Sequence, residues 1–343
     1  MQDLENCLNH DKVAAELKSV VTTLIDVTKE IAFAVRQGAL AGVLGSAQVE
    51  NVQGETQKKL DVIANDLLKS ALSENSCVRA LASEEEEHVV ALHQSGKYIV
   101  AFDPLDGSSN IDINGQIGTI FTIYPALENV AADSPAQFFQ LGKNQLCAGY
   151  VLYGASTLLV LTSGGPTRCF TLDPHINEWV LTNAQLQVPQ NTQEFSINMA
   201  NQRFWSDNFK RYVADLLLGE TGVRGKRFNM RWNAAMVGDV HRVLTRGGIF
   251  MYPNDNRNPR QPAKLRLLYE ANPMALLIEN AGGKACSEAM NKIQRILEIT
   301  PESLHQRVSV VLGSANEVDI CNTYLFKRDQ QAEPVLIEND EAY

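Results

Sequence analysis

The sequence reads as an α+β protein of two packed αβ domains, and three observations point there. Helical apolar periodicity comes first, over residues 13–36 and again from Thr56. From Cys77 the pattern changes to short apolar runs separated by Gly, Pro, Asn and Asp, as expected for strands joined by turns. Beyond a polar stretch at 189–193, helical and strand signals alternate. With 343 residues, 45% of them hydrophobic, the chain can bury one large core or two of ordinary domain size.

In the first helix, Leu17, Val20, Val21, Leu24, Ile25, Val27 and Ile31 recur at helical spacing, and Gly38 marks the stop. In the second, Leu60, Ile63, Leu67 and Leu68 form an apolar stripe, with Asp61 and Asn65 on the neighbouring face. Strands are expected at 78–82, 98–102, 117–124, 147–153 and 157–162, in a mostly antiparallel or mixed sheet. The polar stretch divides the chain into domains 1–189 and 190–328. In the second domain, helices are expected at 207–218, 233–246, 273–280 and 317–326. Strands are expected near Ser196 and Ile249 and over 265–269 and 308–312. Asn272 is positioned to cap the helix beginning at Pro273, and Gly282-Gly283 to end it. Residues 329–343, with Glu333, Glu338, Asp340 and Glu341, read as a mobile acidic tail.

Bulk properties exclude several classes of function. A net charge of -10 argues against nucleic acid, whose phosphate backbone needs a concentrated basic face. No apolar run approaches the roughly 20 residues of a membrane span, and the first residues lack a basic, then apolar, secretory pattern. A cytoplasmic location is expected. The six cysteines are scattered with no zinc-ligand spacing, so reduced, mostly buried thiols are expected.

Chemistry concentrates where the strand at 98–102 runs into Asp103-Pro104-Leu105-Asp106-Gly107-Ser108-Ser109. Two carboxylates three apart, held in a turn by Pro and Gly, can point at one spot with the backbone carbonyl between them. Oxygen-only donors suit hard cations such as Mg²⁺ or Mn²⁺. Gly107, Ser108 and Ser109 can then offer N–H groups and hydroxyls to a phosphoryl group. Taken alone, the same string also describes an ordinary Asp-rich surface turn. The four acids Glu84 to Glu87, alone, read equally as a solvated face.

The whole string from Phe102 to Asp112 resembles the signature of the fructose-1,6-bisphosphatase family, within the inositol-monophosphatase-like superfamily of metal-dependent phosphatases. The resemblance extends to Lys58-Lys59-Leu60-Asp61, Ser83-Glu84-Glu85, Gly118-Thr119-Ile120-Phe121, the stretch from Gly247 to Pro253, that from Lys264 to Glu270, and His305-Gln306-Arg307. It implies a layered α/β/α/β/α sugar-phosphatase fold. It further implies that Glu84, Asp103, Asp106, the Leu105 carbonyl and Glu270 bind metal, and that Glu85 bridges metal and attacking water. Asp61 would share the water's proton with Glu85. The cofactor implied is Mg²⁺, or Mn²⁺, with two or more ions per subunit.

For the substrate, the resemblance implies that Lys264, Arg231, Tyr252 and Asn198 hold the phosphate that is not cleaved. Arg231 would reach across from a neighbouring subunit, so a homo-oligomer, by resemblance a tetramer, is expected. The reaction implied is the gluconeogenic hydrolysis of fructose 1,6-bisphosphate at its 1-phosphate. Sedoheptulose 1,7-bisphosphate or an inositol phosphate as substrate, or a non-catalytic metabolite-sensing role, are the alternatives. The chain departs from the family at Trp232 and Met199-Ala200-Asn201, which bear on substrate choice, and at Glu55. It departs again at Val13-Ala14-Ala15-Glu16 and Lys18, where the family binds AMP, although Lys97-Tyr98 remains. Weak or altered AMP inhibition is expected, because the flexible glycines and the hydroxyl of that turn are missing.

Overall fold

A computed structural model describes residues 4–42, 44–50, 56–289 and 292–326. The expected acidic tail and Glu55 lie outside the described residues. The chain opens with α1 (Leu4–His10) and α2 (Ala15–Gln37), where Leu17, Val20, Val21, Leu24, Ile25 and Ile31 form the buried row. Gly38 stops α2 at φ 48°, its N–H donating to the Ala34 carbonyl. The second long helix, α3 (Lys59–Ser73), starts three residues later than expected. Thr56–Lys58 instead forms β2, antiparallel to β1 (Ser46–Glu50), and Asp61 accepts the Lys58 N–H at 2.7 Å to fix the helix start.

The first large sheet contains β3 (Val78–Ser83), β4 (Val90–Ala91), β5 (Tyr98–Asp106), β6 (Ile117–Pro125), β7 (Cys147–Tyr153), β8 (Thr157–Thr162), β9 (Arg168–Asp173) and β10 (Glu178–Asn183). Its order is β10-β9-β8-β7-β6-β5-β3-β4, antiparallel except where β3 runs parallel to β5. The β9–β10 pair was not expected, because half-exposed residues break up its apolar pattern. Side chains alternate between two buried faces: on β7, Val151 and Tyr153 join the cluster under α2 and α3, while Tyr150 and Leu152 face the opposite way. Burial on both faces explains why these strands read as continuous apolar runs.

The second sheet, β12-β11-β13-β18-β15-β16, uses β11 (Glu194–Ser196), β12 (Asn229–Met230), β13 (Ile249–Tyr252), β15 (Lys284–Ala289), β16 (Lys292–Arg295) and β18 (Val310–Gly313). A short ribbon pairs β14 (Leu265–Arg266) with β17 (Arg307–Val308). Between the two sheets lie α5 (Met236–Arg246) and α6 (Asn272–Asn280), whose Val237, Val240, Met274 and Ile278 pack against Ile120 and Tyr150 on one side and Phe250 and Leu312 on the other. On the outer face of the second sheet, α4 (Asp207–Leu217) and α7 (Ala315–Phe326) contribute Phe209, Tyr212 and Val318 to a third cluster. The five layers, helix, sheet, helix, sheet, helix, are the expected architecture. Each fully buried Leu or Ile contributes about 1.5–3 kcal/mol to holding them together.

Three expectations need correction. The apolar stretch 265–269 is strand only at Leu265 and Arg266, because β17 offers just two partners, and Leu267–Ala271 then forms one π-helical turn running into α6. Asn272 does not cap α6: it lies inside the helix and its Nδ2 donates to the Tyr124 hydroxyl at 3.1 Å. The helix expected from residue 233 begins at Met236, because Ala234 turns left-handed at φ 60°. None of the six cysteines is in a disulfide, and Cys77 is half-buried and the rest buried, as expected. No helix among the described residues is long and apolar enough to cross a membrane.

Candidate metal and phosphate site

The acidic string lies on β5, which follows β6 past the expected end as far as Asp106↔Gly118. A register shift between Asp103 and Asp106 breaks the ladder there, turning both carboxylates toward the same side. Glu270 arrives from the π-helical turn. One oxygen each from Asp103, Asp106 and Glu270 lies within 4.8 Å of the others. Backbone donors orient all three: Leu105 N–H to Asp103 Oδ1 at 3.0 Å, Val237 N–H to Asp106 Oδ2 at 2.7 Å, and Arg266 N–H to Glu270 Oε2 at 2.6 Å.

Burial pushes the Asp103 carboxyl well above the usual range, and the charges of Glu84, Asp106 and Glu270 push it further. Asp106 rises to about 8 through burial, opposed by the Val237 N–H and reinforced by Glu270. Three buried carboxylates converging on one point repel one another unless positive charge joins them. An all-oxygen donor set of that size fits a hard divalent cation.

Glu84 extends the β3–β5 pairing through its N–H to the Phe102 carbonyl at 3.1 Å, and its carboxylate is ion-paired with the buried Arg266 guanidinium. It stands next to the three-carboxylate group rather than within it. Glu85 follows, its N–H donating to Ser83 Oγ at 3.2 Å. Both line a cavity of about 350 Å³ with Asp103, Leu105, Asp106 and Glu270. Asp61 does not line that cavity; it is buried at the first turn of α3, holding the Lys58 N–H.

The same cavity is walled by Gly107, Ser108 and Ser109 and by Ala234, Ala235 and Met236 at the N-terminal end of α5. Gly107 has to be glycine on two counts: φ is 81°, and a Cβ would stand 2.4 Å from that of Ala235. Backbone N–H groups at a helix start beside two serine hydroxyls can receive an anion. Asn198, Tyr252 and Lys264 also line the cavity, with Trp232, whose ring is stacked on Phe250 at 6.2 Å between centroids. Arg231 lies outside the cavity; it is exposed and donates to its own chain's Met230 carbonyl at 2.8 Å.

The sequence reading missed the roles of Arg266 and of residues 234–236. A charged residue between Leu265 and Leu267, in a stretch otherwise buried, was the available sign for Arg266. Nothing in Ala234-Ala235 signalled a site, because what they offer is backbone.

Residues 3–184 match the family description "Fructose-1-6-bisphosphatase, N-terminal domain", and residues 188–326 match "Fructose-1-6-bisphosphatase, C-terminal domain". The class 1 fructose-1,6-bisphosphatase of Cellvibrio japonicus is 72% identical over 327 residues, 95% of this chain and 100% of that protein. That of Saccharophagus degradans is 66% identical over 325 residues, again 95% of this chain and 100% of the relative. The crystal structure of Leishmania major fructose-1,6-bisphosphatase in holo form superposes with a TM-score of 0.88 at 38% identity, covering 95% of this chain and 99% of that one. With both domain descriptions matched and the relatives covered end to end, this chain belongs to the class 1 fructose-1,6-bisphosphatase family.

Proposed function

We propose that the protein hydrolyses the 1-phosphate of D-fructose 1,6-bisphosphate in gluconeogenesis, releasing fructose 6-phosphate and inorganic phosphate, with Mg²⁺ or Mn²⁺ held by Asp103, Asp106 and Glu270. One observation carries it: a single cavity joins the three-carboxylate group, the Gly107–Ser109 turn and Lys264, Tyr252 and Asn198. A substrate with a phosphate at each end matches that arrangement, whereas an inositol monophosphate leaves Lys264 unused.

A bound divalent cation supplies positive charge to the phosphoryl oxygens and lowers the pKa of water. The protein's own groups do the rest. Glu85, on the cavity wall beside the carboxylates, accepts the proton of the attacking water. Ser108, Ser109 and the N-terminal end of α5 orient the phosphoryl group for in-line attack. Lys264 and Tyr252 hold the distal phosphate. Glu84 and the Leu105 carbonyl complete the reading as donors to a second ion, with Arg266 holding Glu84 in place. Asp61, off the cavity, fits the role of fixing the start of α3 better than that of a proton acceptor.

Arg231 completes the distal phosphate site only if it comes from a second copy, so a homo-oligomer, a tetramer by family likeness, is part of the reading, as is a cytoplasmic location. The division at 189/190 is supported by the gap between the last strand of the first sheet, ending at Asn183, and the first of the second, starting at Glu194. Weak AMP inhibition is supported by in-chain pairing of the two lysines concerned: Lys97 Nζ with Glu16 Oε1 at 2.6 Å and Lys18 Nζ with Asn9 Oδ1 at 2.5 Å. Strong inhibition by micromolar AMP in a Mg²⁺-saturated assay would refute that part.

The main test is phosphate release from fructose 1,6-bisphosphate, sedoheptulose 1,7-bisphosphate and inositol 1-phosphate, with and without Mg²⁺. Metal-dependent release from the first, ahead of the others, is expected. No metal-dependent release from either bisphosphate would sink the proposal.

A further inference from the structure

The segment from Arg231 to Ala235 leaves β12 at the edge of the second sheet, places Trp232 and Ala234 on the cavity, and enters α5. It carries Ala234 at φ 60°, a left-handed conformation that a residue with a Cβ adopts only at a cost. Such a conformation persists where its surroundings over-determine it. Here one buried carboxylate does most of that work. Asp239, in the first turn of α5, accepts the Asn233 N–H at 3.0 Å on Oδ1 and 3.2 Å on Oδ2, and the Asn233 Nδ2 at 3.2 Å. It also accepts a backbone bond from Ala234 and the Ser196 hydroxyl, at 2.8 Å, from the end of β11.

The tie continues to the chain that leaves the phosphoryl-binding turn. The Asn233 carbonyl accepts from Asn110 Nδ2 at 2.9 Å, and Asn110 follows Gly107-Ser108-Ser109 directly. We propose that Asp239 is a positioning residue: it holds residues 231–235 in their left-handed path and so sets the distance between the phosphoryl-binding turn and the wall that carries Trp232. It touches no substrate. The inference rests on the reading of this cavity as the sugar-bisphosphate site.

The test compares wild type, Asp239→Asn, Ala234→Gly and the double variant, by steady-state kinetics on fructose 1,6-bisphosphate with Mg²⁺ and by hydrogen exchange of residues 231–235. Asp239→Asn is expected to raise KM about tenfold, the loss of a charge-assisted anchor, with kcat changing less than about threefold. Exchange of residues 231–235 should quicken selectively. In the Ala234→Gly background the same substitution should raise KM only about twofold, because glycine adopts φ 60° without being held there.

A folded Asp239→Asn enzyme with unchanged KM overturns the proposal. So does a rise in KM of the same size in both backgrounds, which marks a purely structural carboxylate. Should Asp239→Asn not fold, Asn233→Ala removes one donor and leaves the backbone bonds; it is expected to raise KM about two- to threefold, and an unchanged KM again overturns the idea. A wild-type enzyme inactive on fructose 1,6-bisphosphate sinks the substrate reading instead, and the exchange of residues 231–235 then decides the anchoring by itself.

Discussion

The two walls of the cavity are built on opposite principles. On the metal side, Glu84, Asp103, Asp106 and Glu270 are buried, oriented by backbone N–H groups or by Arg266, and packed at the end of a sheet covered on both faces. On the recognition side, Trp232, Tyr252 and Asn198 are half-buried and Lys264 is exposed, and they come from separate loops and strand ends. The metal side accumulates repulsion that the proposed cation would relieve. The recognition side carries little such strain beyond Ala234, and a substrate phosphate can reach it from solvent. On the proposed reading, catalytic geometry is held by the core, and selectivity by the rim.

The sharpest way to break the comparison is to disarm the metal side. Glu85→Gln and Asp106→Asn are each expected to lower kcat on the order of 10³-fold with the fold intact, as judged by circular dichroism and a phosphate-release assay. Metal-free Asp106→Asn should also melt higher than wild type near neutral pH, because burying the Asp106 carboxyl among like charges costs free energy even when it is held protonated. Retained activity in Glu85→Gln would mean that another group takes the proton.

Next in size, Lys264→Ala should raise KM about ten- to a hundredfold while leaving the Mg²⁺ concentration for half-maximal rate unchanged. A shift in Mg²⁺ dependence would show that the two walls are not separable.

A third prediction concerns pH. In the metal-free protein Asp106 titrates at about 8, against about 3.9 in the unfolded chain. Between those values the folded state binds more protons than the unfolded one, so this group's contribution to stability is fullest below about pH 4 and is lost as pH rises through about 8. Melting in chelator should therefore fall by about a few degrees between pH 6 and 9, and saturating Mg²⁺ should remove most of the fall. A metal-free melting temperature that rises over that range would contradict the buried, repelling group. Smallest of all, Trp232→Tyr keeps a ring on Phe250 and should change KM by no more than about threefold in the same assay. A larger loss would make the indole itself a determinant of substrate choice.

Much of this was legible in the sequence where information is local. The buried rows of α2 and α3 follow from periodicity, and the runs that became β5 to β8 from continuous apolarity. The Asp103 to Ser109 string brings cation and anion chemistry together because its residues are adjacent. Where a residue's role depends on what another segment offers, reading failed. Residues 267–269 look like strand but have no third partner on β17, so the chain coils and swings Glu270 to the two aspartates. Asn272 looks like a cap but is drawn inward by Tyr124.

By itself, then, the sequence determined the α+β class, the main helices and strands and the residue types at the acidic turn, since hydrophobic period and turn chemistry act over a few positions; the layering was implied by the family resemblance. Only the tertiary structure decided that three carboxylates from two distant segments share one point, that Arg266 pairs with Glu84, and that Asp239 accepts the Asn233 N–H. Those are long-range pairings of buried charge and backbone. They are worth having only once the core has excluded water and left each polar group no other partner.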